Sequence, residues 1–176
     1  MQNTKAYTML VCATLFWACN FIVGKFASFY EVPPFSLNFY RWFFAWLILA
    51  PFTIPEILKK KKYIFENYKL FIILGVTSIT IFNSIVYYSL NFTQVISGVL
   101  MISTIPVMIM FFSSILKIEK TNVFQIIGVI LSFLGVIIII TKANFEILKN
   151  LDFNKGDITM VVAMFSWALY STLLKR

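Results

Sequence analysis

The chain has 176 residues, a net charge of +8, 60% hydrophobic residues, 12% charged residues and no histidine. Soluble domains carry about 25% charged residues, so this composition excludes a globule that faces water on every side. The charges are clustered, and they leave apolar runs of the ~20 residues that a helix needs to cross a bilayer. The expected fold class is all-α, a polytopic transmembrane helix bundle.

In chain order, six helices are predicted, over residues 6–28, 35–54, 69–91, 95–116, 122–142 and 157–174. The first exceeds the 7–15-residue core of a removable signal peptide, so it reads as a span. Its two cysteines, Cys12 and Cys19, lie about 10 Å apart along the axis at helical rise, too far for a disulfide, and read as small packing residues. Pro33-Pro34 mark the first link. Pro55 and the run Lys59-Lys60-Lys61-Lys62 mark the second, and Asn91-Phe92-Thr93 the third. Lys117-Ile118-Glu119-Lys120 form the fourth. Residues 1–142 thus make one five-helix unit, 143–156 a linker, and 157–176 the first helix of a second unit.

Lysine and arginine beside short loops mark the cytoplasmic face. Lys5, the five lysines of the second link, the two of the fourth, Lys175 and Arg176 share one side, which holds ten of the fifteen cations. The amino terminus is therefore expected to be cytoplasmic, with residues 143–156 on the other face.

A repeat runs through this frame. With an offset of 150, Lys5, Val11, Ala13, Trp17, Ala18 and Lys25 fall on Lys155, Val161, Ala163, Trp167, Ala168 and Lys175. Five helices separate the copies, so the second runs in the opposite direction. Inverted repeats of this kind are a signature of secondary transporters, which bind substrate near the midplane between their halves.

The stretches FWACNFIVGK, FYRWFFAWLILAPF, IFNSIVYYSLNFTQ, ISTIPVMIMFFSSILKIEKTNVFQIIGVILSFLGVIIII and GDITMVVAMFSWALYSTLLKR, in that order, resemble the drug/metabolite transporter superfamily, EamA-type. The resemblance implies two repeats of five helices, whereas this chain stops after the first helix of the second. It is expected to be truncated, or to be completed by another chain. The fourth link reads Ile118-Glu119-Lys120 where the family usually has glycine-glutamate.

Several residues are candidates for substrate binding. Tryptophan favours membrane interfaces, so Trp17 and Trp167 near helix centres read either as cavity walls or as bulky packing. Asn20 and Tyr170, one turn further on, read as ligand contacts or as interhelical glue. Asn83 and Tyr87 share a helix face and offer the same two readings. Arg41 and Lys25 are cations within spans, which are rare and usually functional; Lys25 reads equally as a snorkelling side chain. Glu31 is a candidate partner for either. Ala13, Trp17, Asn20 and Gly24 form one stripe, Ala163, Trp167, Tyr170 and Leu174 its counterpart, and Phe16 is assigned to the opposite face. Pro106 is expected to kink the fourth helix, and Gly128, Ser132 and Gly135 to form a close-packing stripe on the fifth.

No acidic residue lies deep in a span, and no metal-binding, phosphate-loop or nucleophile motif is present. No cofactor, metal or nucleic acid is expected, and the chain is not read as an enzyme. The expected function is a secondary transporter moving a small organic solute, an amino acid or related metabolite, by alternating access in a bacterial inner membrane. The alternative is a half-transporter or non-transporting subunit active only with another chain. The expected partners are the solute, the lipid bilayer, and a second copy or a chain supplying the missing helices. Alone, helix 6 is expected to present its cavity face to lipid.

Overall fold

The computed structural model describes residues 2–118, 122–141 and 154–175, and the described residues are helical with short turns. The helices are α1 (Gln2–Phe29), α2 (Pro34–Lys59), α3 (Lys61–Glu66), α4 (Tyr68–Gly75), a π-helical segment (Val76–Phe82), α5 (Asn83–Ser89), α6 (Val95–Ile102), α7 (Ile105–Ile115), α8 (Val123–Thr141) and α9 (Lys155–Leu173). Among the described residues, four stretches are long and apolar enough to cross a membrane: Thr4–Phe29, Pro34–Lys59, Tyr68–Ser89 and Lys155–Leu173. The all-α membrane bundle is as expected.

Local chemistry shapes each rod. α1 ends where Glu31 adopts φ 55° and the Val32 N–H returns to the Ala27 carbonyl at 3.0 Å. Pro34 then opens α2, where a missing N–H costs nothing. α2 continues past its expected end at residue 54, through Pro51 and Pro55, to Lys59. The second link is itself largely the short helix α3. α4, the π segment and α5 form one continuous rod. Within it Thr77 Oγ1 bonds the Ile73 carbonyl at 2.7 Å and Ser78 Oγ the Leu74 carbonyl at 2.6 Å. Hydroxyls that bond back in this way compete with the ladder and bend helices, and here the helix widens.

Pro106 does more than kink the fourth span. The helix ends at Ile102, turns through Ser103 and Thr104, and restarts as α7 with the proline in its first turn. Thr104 closes the turn, its N–H bonding the Met101 carbonyl at 3.0 Å. Residues 143–153 of the predicted linker lie outside the described residues. Lys155 and Gly156, assigned to that linker, belong to α9, which opens with a capping box between Asn154 and Asp157.

The core is one cluster of Phe21, Phe82, Val86, Tyr87, Leu90, Ile105, Met160, Ala163 and Met164. α9 packs chiefly against α5, the π segment and α7. Met160, Ala163, Met164, Ala168 and Thr172 are completely buried there. Small residues let helix 6 wedge between its neighbours on this side, while Trp167 and Tyr170 on its expected cavity face are half-buried. The exposed helices are α1, α2 and α8. The close-packing stripe is also corrected. A Cβ added at Gly128 or Gly135 would meet nothing within 4 Å, and Gly128 and Ser132 border an open cavity of about 440 Å³ beside α7. Cys12 and Cys19 are free and exposed.

Candidate substrate site

Trp17 and Trp167, matched by the repeat, meet with ring centroids 6.0 Å apart. Trp167 also contacts Phe82 at 4.6 Å and Tyr170 at 5.1 Å. Such ring pairs contribute about 0.5–1.5 kcal/mol beyond their buried area. The rings wall a cavity of about 430 Å³, lined also by Asn20, Arg41, Trp42, Ser78 and Asn83.

Arg41 organises the polar side of this cavity. Its Nη1 donates to Asn20 Oδ1 and, at 2.6 Å, to the Tyr87 hydroxyl, while Nη2 donates to Asn83 Oδ1 at 2.7 Å. The Tyr87 hydroxyl in turn donates to Asn20 Oδ1 at 2.5 Å. The guanidinium also lies 5.2 Å from the Trp42 ring and 5.5 Å from the Tyr87 ring. Every one of these partners is neutral. A partly buried cation with no anion beside it among the described residues favours an anionic group arriving from outside, because the fork of N–H donors matches a carboxylate.

Asn83 ties the guanidinium to the widened helix, since its Nδ2 donates to the Ser78 carbonyl at 2.7 Å. Neighbouring carbonyls of the π segment are held by other helices. Ser166 Oγ takes that of Thr77 at 2.7 Å, and Asn38 Nδ2 that of Ile79 at 2.9 Å. π segments concentrate at functional sites, and this one supplies Ser78, Ile79 and Phe82 to the lining.

The structure brings together Trp17, Asn20, Arg41, Asn83, Trp167 and Tyr170 at the cavity, with Tyr87 behind them as a hydrogen-bond partner. Lys25 is elsewhere: its Nζ donates to the carbonyls of Leu90 at 2.7 Å and Thr93 at 2.9 Å. Glu31 pairs with neither cation, whose partners are those named. Phe16, assigned to the opposite face, borders the cavity, because it is one residue from Trp17 and only about 100° around the helix. The two stripes diverge at their ends, since Ala13 and Leu174 are exposed while Gly24 and Ala163 are buried. Trp42, Ser78 and Phe82 were missed. The signal for the π segment was the run of hydroxyl residues in VTSITIFNS within an apolar helix.

Residues 4–141 match the EamA-like transporter family. The chain belongs to that family. It is 26% identical over 176 residues to the uncharacterized transporter YyaM of Bacillus subtilis (strain 168), covering all of this chain and 57% of the relative. An uncharacterized transporter of Archaeoglobus fulgidus is 28% identical over 175 residues, covering 98% of this chain and 58% of that one. The uncharacterized transporter YoaV of Bacillus subtilis (strain 168) is 25% identical over 172 residues, covering 97% and 57%. The chain therefore spans less than two thirds of the length of these curated relatives. No solved structure matches it. The EamA resemblance read from the five stretches is thus confirmed.

Proposed function

We propose that this EamA-family chain is part of a secondary transporter that binds a small organic solute carrying a carboxylate between Trp17, Trp167 and Arg41. The observation that carries this reading is the guanidinium of Arg41, partly buried and, among the described residues, bonded to neutral groups beside an aromatic-walled cavity. The carboxylate pairs with the guanidinium, two of whose five N–H donors are left by these three bonds, and the apolar remainder lies against the two indoles. An amino acid or related metabolite fits this division better than a purely cationic drug. The inverted repeat supports alternating access about the midplane, and the cation distribution supports an inner membrane with a cytoplasmic amino terminus.

A second reading is a half-transporter that works only with further helices from another chain. Its support is the exposure of α1 along residues 4–19.

The test is uptake into reconstituted vesicles of individually radiolabelled neutral amino acids and of the corresponding decarboxylated amines. The expected result is uptake of at least one carboxylate-bearing solute and not of its amine. Trp17→Ala, Asn20→Ala and Arg41→Met should each lower uptake at least tenfold at equal membrane abundance. Leu15→Ala, on the exposed side of α1, should leave it within twofold. Uptake only after co-expression with a chain supplying more helices selects the second reading. Equal responses at Leu15 and Trp17, or preference for the amine, would overturn the site.

A further inference from the structure

We infer that Lys25, Thr93 and Asp157 form a latch that closes one end of the candidate cavity and must part before the cavity can open to that side. The inference rests on reading the cavity as a transporter's substrate site. Lys25 on α1 donates to two backbone carbonyls beyond α5, those of Leu90 and Thr93. The Leu90 carbonyl, just past the carboxyl end of α5, lacks a helical partner and carries partial negative charge, so it attracts a cation; the Thr93 carbonyl lies in the turn before α6. Thr93 Oγ1 donates to Asp157 Oδ1 at 2.7 Å. The other carboxylate oxygen accepts the Asn154 N–H at 3.1 Å in the cap of α9. One threonine therefore joins a cation on α1 to an anion at the amino end of α9, by its carbonyl on one side and its hydroxyl on the other.

A second bond, between Ser89 Oγ and Thr159 Oγ1 at 2.8 Å, fastens α5 to α9 at the same level. Thr93 is 4% exposed and Asp157 9%, so these bonds are shielded from competing water. Beneath the latch, toward the cavity, Phe21, Tyr87, Leu90, Met160, Ala163 and Met164 leave a packed layer. A Cβ on Gly24 would fall 2.8 Å from the Tyr87 ring, so no passage exists there. The other end of the bundle differs. Among the described residues that end is less covered: α1 is exposed from Thr4 to Cys19, although Ala168 and Thr172 of α9 remain buried. The structure is thus closed at the Lys25 end, and Lys25 acts as a positioning residue there.

The test is thiol labelling of the full chain in oriented membrane vesicles, with Cys12→Ser and Cys19→Ser as background and Ala163→Cys as reporter beneath the latch. Asn91→Cys, at an exposed position next to the latch, identifies the face from which a membrane-impermeant methanethiosulfonate reagent reaches that end. With the latch intact, position 163 should resist the reagent from that face. Thr93→Val, which removes only the hydroxyl bond, and Lys25→Met should each accelerate labelling from that face at least tenfold. A hydrogen bond to a charged group is worth about tenfold to a hundredfold in an equilibrium. Lys25→Arg, which keeps the donors, should restore protection.

Rates within twofold of the background in both variants overturn the latch. So does equal acceleration from both faces, which marks general loosening. Labelling needs no solute, so a chain that moves no solute yet shows one-sided acceleration retains the latch and loses the transport reading.

Discussion

Gly156→Ala should destabilise the bundle, and the structure sets the size of the effect. A Cβ at Gly156 would stand 2.7 Å from the Ser89 carbonyl oxygen, 2.9 Å from Asn154 Oδ1 and 2.9 Å from Phe92 Cβ. None of these can retreat freely. The Ser89 carbonyl accepts the N–H groups of Phe92 and Thr93 at 2.9 and 3.0 Å, and Asn154 Oδ1 caps α9 through the Asp157 N–H. Overpacking of this kind costs about 1–3 kcal/mol, and a disturbed N-cap adds about 1 kcal/mol. Alanine's better helix propensity returns at most about 1 kcal/mol. The net loss is then about 1–3 kcal/mol, or about 2–12 °C at 2–4 °C per kcal/mol for a chain of this size. Gly128→Ala is the control, because its Cβ meets nothing within 4 Å and only the propensity gain remains. Thermal unfolding of the two purified variants in one detergent, followed by near-ultraviolet circular dichroism, makes the comparison. Shifts of the same sign and size would refute the reasoning, since they would show that the contacts at Gly156 cost nothing.

Two further outcomes follow from the same geometry. Gly24→Ala should push the Tyr87 ring off its place and disturb its bonds to Arg41 and Asn20; solute uptake should fall at least fivefold at unchanged membrane abundance, and normal uptake would count against Tyr87 as a support of the site. An impermeant reagent added outside intact cells should label Asn91→Cys but not Lys60→Cys; the reverse pattern would place the amino terminus outside and end the inverted-repeat argument.

The fold class and the helix order were legible because apolar runs, prolines and lysine clusters punctuate the chain at bilayer spacing. Part of the candidate site was legible from the repeat, which sets Trp17 and Trp167 at matching depth. Arg41 stood out because a cation two turns into a span needs an explanation. The partners of Lys25 were not legible. Whether an ammonium at a helix end reaches lipid, ligand or backbone depends on where another helix ends, and no local pattern around residue 25 records the carbonyls of Leu90 and Thr93. The π segment was hidden for a related reason. Widening a helix by one residue per turn leaves the apolar pattern almost unchanged, and only the side chains that take up the displaced carbonyls reveal it. Pro106 was read as a kink because its own ring was considered without Thr104, whose hydroxyl bonds the Met101 carbonyl at 2.6 Å and lets the chain turn fully.

The uneven fastening of α1 has a mechanical consequence. Lys25 pins the helix near one end, while from Thr4 to Cys19 it is exposed among the described residues, and its Trp17 ring meets Trp167. About 30 Å of helix separates Lys25 from Lys5 at 1.5 Å per residue. A tilt of about 10° around the pinned end would therefore sweep the free end through about 5 Å, roughly one turn of helix pitch. Leverage of that kind turns a displacement of a fraction of an ångström beside the pinned end into one of several ångströms at the other.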